Sequence, residues 1–162
     1  MVDEPTQQEQ APGQPNPPSG RSLNVFFDVD NTLIMWNGAL RQHTEHVFKS
    51  LKDAGHTIYV WSGVGIRRWD MRHHNLDGYV TDYFIKPLED HHAKLAVLGV
   101  PLVPDFVIDD HGTVVDAFGG YHIPDIATAD DTELLKVLEL ITQMASEPTL
   151  GDIEEPGTEL AG

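Results

Sequence analysis

Five short apolar runs, separated by stretches of helical periodicity, constrain this chain more than any other feature. The runs are Leu23–Phe27, Thr57–Trp61, Tyr83–Ile85, Phe106–Ile108 and the weaker Tyr121–Ile123, all rich in β-branched and aromatic residues. Between the first two, Leu40, Thr44, Val47, Phe48 and Leu51 recur at helical spacing and Gly55 follows as a stop signal, which predicts an amphipathic helix ending near Ala54. Leu134, Leu135, Leu138, Ile141 and Ala145 repeat that pattern after Asp130-Asp131-Thr132, residues suited to capping a helix N-terminus. Weaker helices are expected near Gly65–His74, Asp90–Leu98 and Thr113–Phe118. Alternating strands and helices of this kind build a mainly parallel sheet, so the expected fold is α/β: a three-layer α/β/α, Rossmann-like, doubly wound domain over residues 22–146.

The flanks read differently. Residues 1–21 hold five prolines and no aromatic, Leu or Ile, and residues 147–162 hold five acids and no base. Neither segment has the apolar surface to offset the entropy of ordering, so a disordered Pro/Gln-rich arm and a disordered acidic tail are expected, with solvating or linker roles. The total of 162 residues leaves room for one domain between them.

Charge and cysteine usage exclude several functions. With 26 acidic against 10 basic residues the formal charge is −16, so binding nucleic acid or anionic lipid by displacing counterions is disfavoured. The absence of cysteine excludes disulfides, thiolate-bound zinc, iron–sulfur clusters and thiol nucleophiles. No apolar run approaches the roughly 20 residues of a membrane-spanning helix, and the N-terminus lacks a secretory pattern. A soluble, cytoplasmic protein without a membrane partner is expected.

In open α/β sheets, ligands bind beyond the carboxyl ends of the strands. The first run leads into Asp28-Val29-Asp30-Asn31-Thr32, the second into Ser62-Gly63, the third into Lys86-Pro87 and the fourth into Asp109-Asp110. Asp28 and Asp30 are two apart, so in extended chain both carboxylates leave on one side. Four carboxylates at one sheet edge repel one another unless a cation binds or some carry protons. All-oxygen donors favour a hard cation, and magnesium fits best because it accepts a few carboxylates and keeps other positions for water or phosphate oxygens. Against Mg²⁺ and Lys86 the four acids leave one net negative charge, which a single proton removes. A phosphoryl group can then enter.

This arrangement resembles the haloacid dehalogenase (HAD) superfamily over Asn24 to Asp110. Its first motif, an apolar strand followed by Asp-x-Asp-x-Thr, stands here as Val25-Phe26-Phe27-Asp28-Val29-Asp30-Asn31-Thr32-Leu33. Its second is matched by Ile58-Tyr59-Val60-Trp61-Ser62-Gly63, its third by Lys86 with Lys94 as competitor, and its fourth by Phe106-Val107-Ile108-Asp109-Asp110. The resemblance implies that Asp28 attacks phosphorus to form an aspartyl-phosphate. Asp30 would protonate the leaving oxygen and then activate the hydrolytic water. Ser62 and the Gly63 amide would bind phosphoryl oxygens, and Lys86 would neutralise the nucleophile. Magnesium would be held by Asp28, the Asp30 carbonyl, Asp109 and Asp110, with the direct ligand of the last two left open. The second Asp separates a phosphatase from a dehalogenase, because a departing alcohol needs a proton and a halide does not.

In this family a cap inserted after the first motif, or between the second and third, selects the substrate. Here both intervals are short, which implies a capless hydrolase with an open site for a bulky or macromolecular phosphorylated substrate. Leu33–Gly38 would form the small flap, with Trp36 either touching substrate or packing the flap. Two other functions use similar parts. A receiver-like signalling domain carries its acidic pair before the phosphorylated Asp, whereas here the pair comes last. A non-catalytic scaffold on the same fold has no need of intact motifs. The adjacent pairs His73-His74 and His91-His92 are read as surface residues rather than zinc ligands, since neighbours on a helix diverge by about 100°. His111 is read as ordinary packing ahead of a contact supporting the site, and Arg67, Arg68 and Arg72 as salt-paired ahead of recognising a second phosphate.

Overall fold

The computed structural model describes residues 20–147. The predicted arm and acidic tail therefore lie outside the described residues, except Gly20, Arg21 and Glu147. Five strands, β1 (Asn24–Phe27), β2 (Thr57–Ser62), β3 (Asp82–Ile85), β4 (Phe106–Asp109) and β5 (Gly120–His122), form one sheet in the order β3-β2-β1-β4-β5. Every pairing is parallel.

Side chains alternate across this sheet, and both faces are covered. Val25, Phe27, Ile58, Val60, Tyr83, Phe106 and Ile108 enter one core with Val47, Phe48 and Leu51 of α1 (Thr44–Asp53) and Leu134, Val137 and Ile141 of α5 (Glu133–Ser146). Phe26, Tyr59, Trp61, Phe84 and Val107 enter the other with Leu95 of α3 (His91–Val97) and Val114 of α4 (Gly112–Phe118). Burial on both faces is why the strands read as continuous apolar runs, the pattern of parallel sheets. α2 (Arg68–His73) and a 3-10 turn at Asp77–Tyr79 lead into β3. Gly120 lets β5 join the edge: a Cβ there would lie 1.9 Å from the Val107 carbonyl oxygen, at φ 149°.

Two boundaries differ from the sequence expectation by more than one residue. Helix α1 starts at Thr44, because Leu40 is taken up by an antiparallel bridge to Ile34 at the base of a tight turn, where Met35 N donates to Ala39 O at 2.8 Å. The helix expected from Gly65 starts only at Arg68, after Gly65 at φ 148°. The N-cap of α5 is Thr132, which makes no side-chain capping bond; the preceding Asp131 instead accepts the Glu133 amide through Oδ1 at 3.1 Å. No helix among the described residues is long and apolar enough to cross a membrane.

Candidate active site

The strand order reverses between β1 and β4, so their carboxyl ends frame the crevice at which parallel α/β sheets take ligands. Asp28 follows β1 directly, its amide bonded to Ile108 O at 3.0 Å, and Asp109 ends β4. Lys86 follows β3, with its amide on Ser62 O at 2.9 Å. Its ammonium sits between the two acids, 2.9 Å from Asp28 Oδ1 and 2.9 Å from Asp109 Oδ2. All three are buried. Lys94, the competing lysine, lies on α3 beside Glu89 at 3.7 Å.

The remaining bonds give these acids different surroundings. Asp28 Oδ2 accepts from Thr32 Oγ1 at 3.0 Å, whereas Asp109 Oδ1 accepts the His111 amide at 2.9 Å. Asp109 is fully enclosed with both oxygens engaged. Asp110 instead lines a cleft of about 400 Å³ together with Asp28, Asp30, Ser62, Gly63 and Lys86. Leu88 closes the side of this cleft against Gly63, where a Cβ would meet its Cδ2 at 2.7 Å.

Burial pushes the Asp28 carboxyl up to about 6, against the pull of Lys86 and with a hydrogen bond that the protonated Asp28 donates to Asp110 adding to the rise. Burial, reinforced by the Asp28 charge, also raises Asp109. Lys86 loses solvation, but Asp28 and Asp109 more than offset that loss and hold its ammonium above the usual lysine range. One lysine thus sits between two carboxylates, and burial makes both Asp28 and Asp109 resist ionisation despite it. Among the described residues, Asp109, Asp110 and His111 are the one group of three ligating side chains whose atoms fall within 4.8 Å of one another. The His111 ring is exposed, with Nδ1 3.4 Å from Asp110 Oδ1.

Asp30 reaches the same cleft but not the same partners. Its two oxygens accept a bidentate pair from Arg67, at 2.7 Å and 3.0 Å, and its side chain is 55% exposed. Arg67 also donates to Asp70 at 2.7 Å and to Ser62 Oγ at 3.3 Å. The hydrogen bonds to Asp30 hold its guanidinium above the ordinary arginine range, despite partial burial. Arg68 and Arg72 face Asp82 and Asp77, so the arginine cluster is salt-paired. Trp36 is 85% exposed and borders a separate hollow with Met35 and Ile126, away from the cleft. His73 stacks on Trp69 at 5.0 Å, and His92 Nε2 meets Ala117 O at 2.8 Å.

Two arginines escaped the sequence reading in this detail. The pairing of Arg67 with Asp30 joins residues on separate loops, and no local pattern announces it. Arg41, wholly buried beneath the loop after β1, precedes α1 and looks like an ordinary surface base. Comparison with protein-family models and with curated protein sequences returns no match.

Proposed function

We propose that the chain is a magnesium-dependent phosphomonoester hydrolase of HAD type, working through an aspartyl-phosphate on Asp28. The observation that carries this reading is Lys86, bonded at 2.9 Å to both Asp28 and Asp109 at the reversal point of the sheet, with Asp110 adjoining in an open cleft. The donor set suits a hard divalent ion, since Asp28 and Asp110 line one cleft and burial raises Asp28 even beside Lys86. Asp28, Asp110 and the Asp30 carbonyl would hold it, with Asp109 anchoring Lys86. When bound, magnesium would screen the charge of the phosphate being attacked.

The chain's own residues then divide the work. Ser62 Oγ and the Gly63 amide receive phosphoryl oxygens, and Lys86 holds Asp28 in place while compensating its charge. An Asp28 oxygen attacks phosphorus as the ester P–O bond breaks, and Asp30 gives its proton to the leaving oxygen. Water, losing a proton to Asp30, cleaves the acyl-phosphate and restores the Asp28 carboxylate. For either transfer Asp30 must leave Arg67. A phosphoryl dianion at Ser62 competes for that guanidinium, which already lies 3.3 Å from Ser62 Oγ. The short intervals between motifs leave the cleft without a lid among the described residues, in keeping with a bulky phosphorylated substrate.

The test is hydrolysis of p-nitrophenyl phosphate and a panel of phosphate esters, with and without magnesium, by the wild type and Asp28→Asn. Turnover that needs magnesium and falls at least about 1,000-fold in the variant is expected. A folded wild type that hydrolyses nothing on the panel would point to the non-catalytic scaffold instead.

A further inference from the structure

The loop that carries Asp28, Asp30 and Thr32 is pinned from beneath by one arginine. Arg41 is 1% exposed, and its fork reaches three separate segments. Nε donates to Thr32 O at 2.7 Å, and Nη2 to Asn31 O at 3.1 Å and Pro124 O at 2.6 Å. Nη1 pairs with Asp131 Oδ2 at 2.8 Å. The backbone of Arg41 is held too, with its amide on Leu33 O at 2.7 Å and its carbonyl accepting Thr44 Oγ1 at 2.7 Å.

We propose that Arg41, anchored by Asp131, is a positioning residue for the nucleophile and acts on Asp28 through Thr32. This rests on the reading of Asp28 as nucleophile. The peptide planes on either side of Thr32 are fixed at both ends. Their carbonyls, of Asn31 and Thr32, are taken by Arg41, and their amides, of Thr32 and Leu33, donate to Val29 O at 3.2 Å and 2.9 Å. Asn31 meanwhile sits in the left-handed region at φ 64°, a conformation that needs support in a residue with a side chain. With both planes fixed, the Thr32 Cβ has one direction, and the rotamer adopted there puts Oγ1 3.0 Å from Asp28 Oδ2 and 3.5 Å from Asp110 Oδ1. The hydroxyl orients the carboxylate and leaves its other oxygen on Lys86.

Stability alone is a poor account of this arginine. A buried ion pair loses much of its Coulomb gain to desolvation, and apolar side chains of similar volume stabilise as well or better. A planar fork of donors offers something else: several fixed directions at once, which a single ammonium cannot reproduce.

The experiment compares wild type, Arg41→Lys, Thr32→Ala and the double variant on p-nitrophenyl phosphate with magnesium, alongside amide hydrogen exchange. In a cooperatively folding Arg41→Lys, kcat is expected to fall at least about tenfold with KM within about twofold. Exchange at Thr32 and Leu33 should quicken about tenfold while Phe26 and Val60 keep their protection. If Arg41 acts through Thr32, the double variant should be no slower than Thr32→Ala alone; a purely structural arginine would add its own loss. Full additivity, or a folded Arg41→Lys with kcat within about twofold of wild type, overturns the proposal. Should Arg41→Lys fail to fold, Asp131→Asn serves, with a fall of about three- to tenfold expected and a wild-type kcat overturning. If the wild type hydrolyses no ester, Asp28 is not a nucleophile, and exchange decides: faster opening at Thr32 and Leu33 upholds the positioning of Thr32, and wild-type rates sink it.

Discussion

Two buried ionic clusters lie on either side of the loop after β1, and they are built to opposite specifications. Above it, Lys86 faces Asp28 and Asp109, with Asp110 close by, so acids outnumber the cation. Below it, Arg41 faces Asp131 alone, and its remaining donors end on backbone carbonyls. The lower cluster is neutral and satisfied. The upper one carries an excess of negative charge in a place where charge is costly, and burial raises both Asp28 and Asp109 in consequence. A fold does not need such an excess. It suits a site that takes in positive charge, which is what the proposed magnesium would bring.

The contrast predicts opposite signs for mutations on the two sides. Arg41→Ala should have the largest effect, a loss of about 3–5 kcal/mol in denaturant unfolding, because Asp131 is left buried without its partner and the carbonyls of Asn31, Thr32 and Pro124 lose their donor. A loss below about 1 kcal/mol would show that the lower cluster is not the closed unit described here. Asp28→Asn should do the reverse and stabilise the magnesium-free protein by about 1–3 kcal/mol at pH 7, since it removes a carboxylate whose ionisation the fold resists. A drop in melting temperature would mean that Lys86 already balances the upper cluster.

The smallest expected effect lies at the opposite end of the sheet, where the Leu23 amide ends on a neutral imidazole. His56 is buried there and accepts the Leu23 amide through Nδ1 at 3.0 Å. Burial pushes its imidazole below the ordinary histidine value, so protonation favours the unfolded chain. Its contribution is present above the unfolded value of about 6.5 and is lost as pH falls below it toward the lowered folded value. Between pH 7.5 and 5 the wild type should lose up to about 1 kcal/mol more than His56→Gln. Identical slopes would remove the neutral contact at Leu23 from the comparison.

How much of this was legible beforehand varies by region. The strands were, because burial on both faces leaves Val25–Phe27, Ile58–Trp61 and Phe106–Ile108 with no polar position to confuse the pattern. Asp28, Ser62, Lys86 and Asp109 stood out because each closes such a run, and parallel strands bring those ends to one edge. The start of α1 was less legible, since Leu40 has helical spacing but is claimed by Ile34. Arg41 and Arg67 were not legible as partners. Their acids lie 90 and 37 positions away in the chain, and nothing local distinguishes a clamp from a solvated base.

What the sequence determined by itself was periodicity and order: which segments are strands, which faces are apolar, and which polar residue terminates each run. These follow from short-range sterics and from the need to bury apolar surface, and both are written in neighbouring residues. Only the tertiary structure decided the partners of each charge. It set Lys86 between two acids, gave both oxygens of Asp30 to Arg67, and placed Arg41 against the carbonyls of the loop after β1. Burial and the distance between opposite charges govern those choices, and both come into being when remote segments meet.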